Sequence, residues 1–388
     1  MPEGTLEDVS ADNIVEPFRI EIGQADLDDL ADRLARTRWA EPETVDDRSQ
    51  GLPAAYLRDL VTYWSDGYDW RRLEQRLNGL PQFRTDIDGL GIHFIHVRSS
   101  HADATPLLLT HGWPGSVCEF LDVIEPLTEP ADSEPAFHLV IPSLPGFGFS
   151  DKPTRPGWNI ERIADAWATL MARLGYERYA AQGGDWGAII TTALGERDAD
   201  HLLGIHLNMP LAPPDPDDTP TAQEAEIIAA QREHRRFRTG YQKEQSTRPQ
   251  TIGYALVDSP VGQAAWIAEK FWDWTDHDGD LSTILTRDQI LDGVMMYWLT
   301  ASGASSARIY WEAAQGGTQP DVTVPVGVSM FPRELYRTSE RWARKRYPTL
   351  AYWNELDRGG HFAALEQPEL FVGEIRAWAA QCLSSPQT

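Results

Sequence analysis

The chain of 388 residues carries 59 acidic against 34 basic side chains, a formal charge of -25, which excludes nucleic acid and anionic membrane surfaces as partners because both would repel it. Apolar content of 41% is that of a soluble globular protein, and the two cysteines, Cys118 and Cys382, are too few for a disulfide framework. The first residues are acidic without an apolar core, against a signal peptide, and no run approaches the roughly 20 apolar residues of a spanning helix, so a cytoplasmic protein away from the membrane is expected.

In chain order, residues 1 to about 15 read as a loosely attached tail. Phe18-Arg19-Ile20-Glu21-Ile22 alternates like a strand. Helical spacing follows over Asp26–Arg36, Ala54–Tyr68 and Trp70–Asn78. These helices hold no cluster of reactive groups and are expected to wrap a catalytic domain. From Phe83 the chain becomes strand-rich, with Gly91–Arg98, Pro106–Thr110 and Phe137–Pro142 as strands. The continuous apolar run Leu107-Leu108-Leu109 suits a strand buried on both faces of a parallel sheet. Helices are expected over Val117–Leu127 and Asn159–Leu174, and strands alternating with helices imply a parallel α/β sheet covered on both sides.

After Ile205-His206-Leu207-Asn208 the alternation stops at the proline- and aspartate-rich stretch from Leu211 to Pro220. Helices then dominate: Ala222–Arg238, Pro260–Trp274, Thr286–Ser302 and Ser306–Ala314. Strand character returns over Val322–Met330 and Thr349–Trp353, with helices over Ser339–Arg346 and Pro368–Cys382. The expected organisation is a wrapping extension over 1–90, a core over 91–210, a helical lid over 211–318 and the rest of the core over 319–388. The acidic cluster Asp276-His277-Asp278-Gly279-Asp280 has its glycine too early for a calcium loop. No HExxH, Walker loop or dinucleotide fingerprint occurs, so neither metal nor cofactor is expected.

The motif that carries chemistry is Gly183-Gly184-Asp185-Trp186-Gly187, between the short run Tyr179-Ala180-Ala181 and Ala188-Ile189-Ile190. Strand, glycine-flanked turn and helix make the layout of a nucleophile elbow. Here the lifted residue is Asp, which suits attack on an sp3 carbon bearing a leaving group, such as an epoxide or an alkyl halide, through an ester that water must then break. The alternative is an aspartate that only caps the following helix. His111-Gly112-Trp113-Pro114-Gly115-Ser116 follows a core strand, where backbone amides can face a ligand. It nominates the N–H groups of Trp113 and Trp186 as an oxyanion hole, with His111 otherwise a satisfied structural histidine. His361, on the late glycine-rich loop Gly359-Gly360-His361-Phe362, is the candidate base. Glu334 is the candidate acid, with Asp357 and Glu355 as rivals. Ring opening of an epoxide needs a donor to the departing oxygen, and Tyr241, Tyr254, Tyr297 and Tyr310 are available in the lid. Trp113, Phe147, Phe149 and Trp186 are the expected pocket residues and favour bulky apolar or aryl epoxides.

The ensemble of the His111–Ser116 loop, the Asp185 elbow, Phe331-Pro332-Arg333-Glu334 and Gly359-Gly360-His361-Phe362-Ala363-Ala364-Leu365-Glu366 resembles the microsomal-type epoxide hydrolases. So does Arg36-Thr37-Arg38-Trp39. The resemblance covers the chain from about residue 17 to its end. It implies an α/β-hydrolase fold, Asp185 as nucleophile, His361 as base and Glu334 as acid. From the setting of Gly240-Tyr241 and Ala307-Arg308-Ile309-Tyr310 it also implies Tyr241 and Tyr310 as the lid pair. Membrane members carry an amino-terminal anchor that is not seen here, so a soluble bacterial-type member acting on a small-molecule epoxide and water is expected. A homodimer and a role in natural-product biosynthesis or detoxification are compatible with that likeness. The rivals are a haloalkane dehalogenase and a non-catalytic α/β-hydrolase binding protein.

Overall fold

In a computed structural model of the chain, residues 14–131, 134–317 and 321–383 are described; all but the last residues of the expected amino-terminal tail lie outside them. The strands are β1 (Val15–Pro17), β2 (Gln82–Ile87), β3 (Leu90–Val97), β4 (Thr105–Thr110), β5 (Phe137–Pro142), β6 (Tyr179–Gly183), β7 (Leu202–Leu207), β8 (Val326–Met330) and β9 (Leu350–Glu355). They form one sheet in the order β1-β2-β3-β5-β4-β6-β7-β8-β9. β1, β2 and β3 pair antiparallel, β3 meets β5 antiparallel, and every pair from β5 to β9 is parallel. Leu107, Leu108 and Leu109 are fully buried, as a central parallel strand covered on both faces requires. The two faces can be read from adjacent residues, because side chains alternate along a strand. At Gly204 the space is closed by Trp378 of the helix Pro368–Cys382, whereas Ile205 meets Gly195 of the helix Asp185–Arg197.

The strand order sets the site. The chain runs from β4 to β5 on one side of β4 and then crosses back to β6 on the other, which makes the β4 end a switch point where ligands bind in open α/β sheets. The register pairs Thr110 with Gly183, so the loops after β4 and β6 leave the sheet side by side. Farther along, an isolated parallel bridge joins Arg333 to Gly360 and draws the loops after β8 and β9 together. Between β7 and β8 the chain passes through the helices Ala222–Phe237, Gly240–Thr247, Pro249–Asp258, Pro260–Trp274, Arg287–Trp298 and Gly303–Ala313. The amino-terminal helices grip this insertion: Tyr63 donates to Asp288, Tyr68 to Asp292, Arg33 pairs with Asp258 and Arg72 with Asp292.

Three expectations need correction, and one pair of helices was missed. The strand expected over 18–22 is not one. Its backbone is held by a helix: Ile20 and Ile22 N–H donate to Asn78 Oδ1 and Glu74 Oε1, one turn apart on Trp70–Asn78. The helix expected over 117–127 breaks into a 3-10 turn at Val117–Phe120 and a short helix at Ile124–Thr128, because Pro126 offers no N–H to continue the ladder. The strand expected from 322 begins only at Val326, after Pro325. The paired helices Gly240–Thr247 and Pro249–Asp258 were not legible from periodicity.

The elbow explains its glycines. A Cβ on Gly183 would run into the Gly187 carbonyl, and one on Gly187 into the Thr110 carbonyl. Both obstacles are backbone, which cannot step aside as a side-chain tip can. Gly187→Ala is therefore expected to cost at least the roughly 1–3 kcal/mol of an overpacked core, seen as a lower urea midpoint. An unchanged midpoint would mean that the turn opens freely.

Candidate active site

Asp185 sits at φ 51, the only residue of the elbow with positive φ. Left-handed backbone is uncommon for a residue with a Cβ, though Asp tolerates it better than most. The strain is what turns the side chain out of the strand-to-helix corner. Its carboxylate caps nothing: the cap position of the helix Asp185–Arg197 is Gly184, without a side-chain bond. Instead Oδ1 accepts from the Trp113 N–H at 2.8 Å and Oδ2 faces His361 Nε2 at 3.1 Å.

The Trp113 amide is aimed by its own peptide unit. His111 Nε2 accepts from the Leu144 N–H, at 3.2 Å, so its proton is on Nδ1, which donates to the Gly112 carbonyl at 2.9 Å. Burial pushes the His111 pKa down to about 4, keeping the ring in that neutral form. In a trans peptide the carbonyl and the following N–H point opposite ways; fixing the Gly112 carbonyl on His111 turns the Trp113 N–H onto Asp185. Gly112 leaves the room, since a Cβ there would overlap the Asp185 carboxylate. The Trp186 N–H belongs to the first turn of the helix, where no intrahelical acceptor exists. His111→Ala is expected to slow turnover about tenfold or more by freeing that peptide; unchanged kcat with unchanged KM would show the loop holds itself.

His361 is 1% exposed at its side chain, and Asp185 17%. Glu334 Oε1 lies 2.7 Å from His361 Nδ1 and is equally buried. The rival acids lie elsewhere: Asp357 is 81% exposed at its side chain and pairs with Arg358, and Glu355 accepts from Gln223. Burial opposes charge on His361, but Glu334 and Asp185, on either side of the ring, outweigh it and raise its pKa well above the usual 6.5. The proton's stabilising effect is complete below 6.5 and is lost as pH rises through the raised folded value. NMR titration of His361 is expected to show that high value, and Asp185→Asn to bring it down. A titration near 6.5 in the unaltered protein would contradict the geometry.

The His361 loop is stapled to the insertion. The His361 N–H donates to the Trp274 carbonyl and the Gly359 N–H to Asp276 Oδ2, both within 2.9 Å. Glu366, pushed up to about 7 by burial, accepts from the Asp276, Gly360 and Phe362 N–H groups. Glu366 closes the family-like motif but was given no role, and Trp274 was not singled out, because what each does comes from what it meets across the chain.

The insertion supplies aromatic walls. The Tyr241 ring stacks on Trp113 at 5.3 Å and 9°, and Tyr310 meets Trp113 edge-on at 5.7 Å. The two tyrosines approach at 5.9 Å and 85°. Burial holds both phenols well above pKa 10, so each is a neutral O–H donor. Tyr297 is spent elsewhere, donating to the Gly115 carbonyl at 2.8 Å, and Tyr254 is 67% exposed. Trp186 packs edge-on against Tyr310 at 4.7 Å, and Trp274 covers His361 at 5.1 Å. Phe147 backs the loop, against His111 and Tyr297. Phe149 is not a pocket residue: it packs on Phe18 and His93, because Gly148, at φ 49, turns the chain between the two phenylalanines. Among the described residues no group of three or more His, Cys, Asp or Glu side chains is arranged to hold a metal ion, and no helix is long and apolar enough to cross a membrane.

Fold and site define an α/β-hydrolase that presents a carboxylate at its elbow where a hydroxyl is more usual. Residues 15–120 match the model of the epoxide hydrolase N terminus and residues 105–254 that of the alpha/beta hydrolase fold. The chain is 56% identical to a candidate epoxide hydrolase of Stigmatella aurantiaca over 93% of this chain and 84% of that one. It is 36% identical to epoxide hydrolase 1 of Sus scrofa over 96% and 90%. The crystal structure of juvenile hormone epoxide hydrolase from Bombyx mori superposes with a TM-score of 0.88 at 33% identity, covering 93% of each chain. The chain belongs to the epoxide hydrolase family, and it is an epoxide hydrolase.

Proposed function

We propose that this enzyme converts bulky apolar or aryl epoxides to vicinal diols through a covalent ester on Asp185. The observation that carries the reading is the unbroken line of hydrogen bonds from Glu334 through His361 to Asp185 and on to the Trp113 N–H. Trp113 holds Oδ1 on the backbone amide, so the attacking oxygen is Oδ2, which His361 Nε2 orients at 3.1 Å. Tyr241 and Tyr310 donate to the epoxide oxygen while Oδ2 forms its bond to a ring carbon and the carbon–oxygen bond breaks. The alkoxide takes a proton from a tyrosine.

Charge then reverses the role of His361. In the free enzyme two carboxylates keep the ring protonated. Esterification removes the charge of Asp185, so the ring releases a proton, equal in number to the one the alkoxide gained. Neutral His361, oriented by Glu334, accepts a proton from water as the water attacks Cγ. The Trp113 and Trp186 N–H groups receive the charge on Oδ1, each such donor being worth about 2.7–4 kcal/mol of barrier. Collapse breaks the Cγ–Oδ2 bond, the leaving alkoxide takes the remaining proton of the added water, and the diol departs with Oδ2 in it, leaving Asp185 a carboxylate and His361 protonated. A single turnover in heavy-oxygen water is therefore expected to give unlabelled diol, and label in the first diol would mean direct attack by water.

In this reading residues 211–318 form the lid, and residues 1–90 brace it. The aromatic walls Trp113, Trp186 and Trp274 favour aryl and other flat apolar groups, to be tested with a panel of aryl, alkyl and terpenoid epoxides and chiral analysis of the diols. Equal rates across the panel would remove that preference. The charge of -25 and the two cysteines support a cytoplasmic enzyme with no nucleic-acid partner. Sedimentation decides the homodimer compatible with the family likeness.

A further inference from the structure

We propose that Lys270 acts through the ring of Tyr241, making this tyrosine the stronger of the two donors to the departing epoxide oxygen. The inference rests on the reading of Tyr241 and Tyr310 as those donors. It concerns how they differ.

Lys270 lies on the helix Pro260–Trp274 and is 3% exposed. Lysine is seldom so deeply buried, because its ammonium loses water that must be replaced. Here the replacement is largely aromatic. Nζ lies 4.5 Å from the centroid of Tyr241, 5.8 Å from Trp266 and 5.9 Å from Trp274. Glu269 Oε2 contacts the ammonium at 2.7 Å and is the more exposed member of the pair, at 28% against 4% of the side chain. In the wider field Asp273 pairs with Arg48 and also feels Arg238, while burial pushes the His234 pKa down to about 4 and keeps that ring neutral. A buried apolar side chain would fill this helix position without any of these demands.

The two tyrosines are thus unequal. Tyr310 meets the edges or faces of Trp113, Trp186 and Tyr241, whereas the ring of Tyr241 also faces a cation. As a phenol gives its proton to an alkoxide, negative charge grows on the phenolic oxygen and spreads into the ring. A cation over that ring lowers the energy of the growing charge. Burial and the charge of Asp185 push Tyr241 the other way, toward a weaker acid, and Lys270 offsets them where it matters. The balance of the step is simple: the Asp185 oxygen–carbon bond forms, the ring carbon–oxygen bond breaks, and the Tyr241 proton passes to the leaving oxygen. The tyrosinate is then reprotonated by the proton that His361 sheds on esterification. Lys270 touches no reacting atom and is a positioning residue acting through Tyr241.

The test separates the two chemical steps by rapid quench under single-turnover conditions with styrene oxide. Lys270→Met is expected to slow ester formation at least tenfold and to leave ester decay within twofold. Lys270→Arg should recover most of the loss. Placing 3,5-difluorotyrosine, a more acidic phenol, at position 241 should restore ester formation in the methionine variant. If that variant does not fold, Lys270→Gln, which keeps a polar end toward Glu269, carries the same expectation. Ester formation within twofold of the unaltered enzyme, or an equal fall in both steps, would overturn the proposal. Tyr241→Phe distinguishes the failures. If it leaves ester formation unchanged, the reading of the tyrosines is wrong; if it slows that step while Lys270→Met does not, only the role of Lys270 falls.

Discussion

His361→Gln is expected to stall the enzyme as its own ester. Ring opening needs the Asp185 carboxylate and the tyrosine donors, none of which the substitution removes. Glutamine still offers an N–H near Oδ2, 3.1 Å from the present Nε2. What it cannot do is take a proton from water. Loss of a general base costs about 10²–10⁴-fold, and here the loss falls wholly on ester hydrolysis. Mixing with styrene oxide should give one substrate mass added per chain by mass spectrometry, within the time of a single ring opening. Peptide mapping should place the mass on the peptide that holds Asp185, and kcat should fall by the same factor as the rate of adduct decay. A variant that is slow but never carries the adduct would refute the two-step scheme.

Asp185→Ala should abolish turnover and adduct formation together. Glu334 is held on the far side of the imidazole, against Nδ1, and burial pushes the pKa of Glu119, another carboxyl near Asp185, up to about 8, which leaves it a poor nucleophile. The residual rate should be that of epoxide in buffer. The substitution has a second, structural effect, because Ala is less at ease than Asp at φ 51. Strain of that kind is worth about 1–3 kcal/mol. Asp185→Asn tolerates the backbone and keeps an oxygen for the Trp113 N–H, so the pair separates chemistry from folding. Both should be inactive at first turnover, with the asparagine variant melting closer to the unaltered protein. Adduct formation in the alanine variant would move the nucleophile elsewhere.

The elbow was legible because its glycines answer to local geometry: a strand, a tight turn and a helix demand small residues at 183 and 187 whatever the rest of the chain does. The loop that brings the Trp113 N–H onto Asp185 could be singled out for a similar reason, lying directly after a continuous apolar strand. Glu334 was harder. Spacing favoured it only narrowly over Asp357 and Glu355, which are nearer to His361 in sequence, and what separates them is the bridge between Arg333 and Gly360, a contact between loops that no sequence interval encodes. Tyr241 and Tyr310 stood out from Tyr254 and Tyr297 only by family likeness, since which tyrosines converge depends on how the helices of the insertion cross. Phe149 was expected in the pocket with Phe147, but left-handed Gly148 lies between them and Phe149 packs on Phe18 and His93. Lys270 was passed over altogether. In the sequence it is one basic residue next to an acid, and only the folded chain shows that its ammonium faces a tyrosine ring.

The staple between the insertion and the His361 loop bears on how such enzymes can be recombined. Trp274 holds the His361 N–H and Asp276 that of Gly359, while Glu366 holds Gly360 and Phe362 on either side of His361 and ties the loop to the Asp276 N–H. A graft that replaced the whole insertion with that of a relative would import a foreign seat for the base. The cassette that can be exchanged to alter substrate range is the part ahead of Pro260, which brings Tyr241, while residues 260–276 should travel with 359–366 from one parent. Cut at that seam, a chimera keeps its catalytic histidine in register; cut elsewhere, it is expected to fold around a misaligned one.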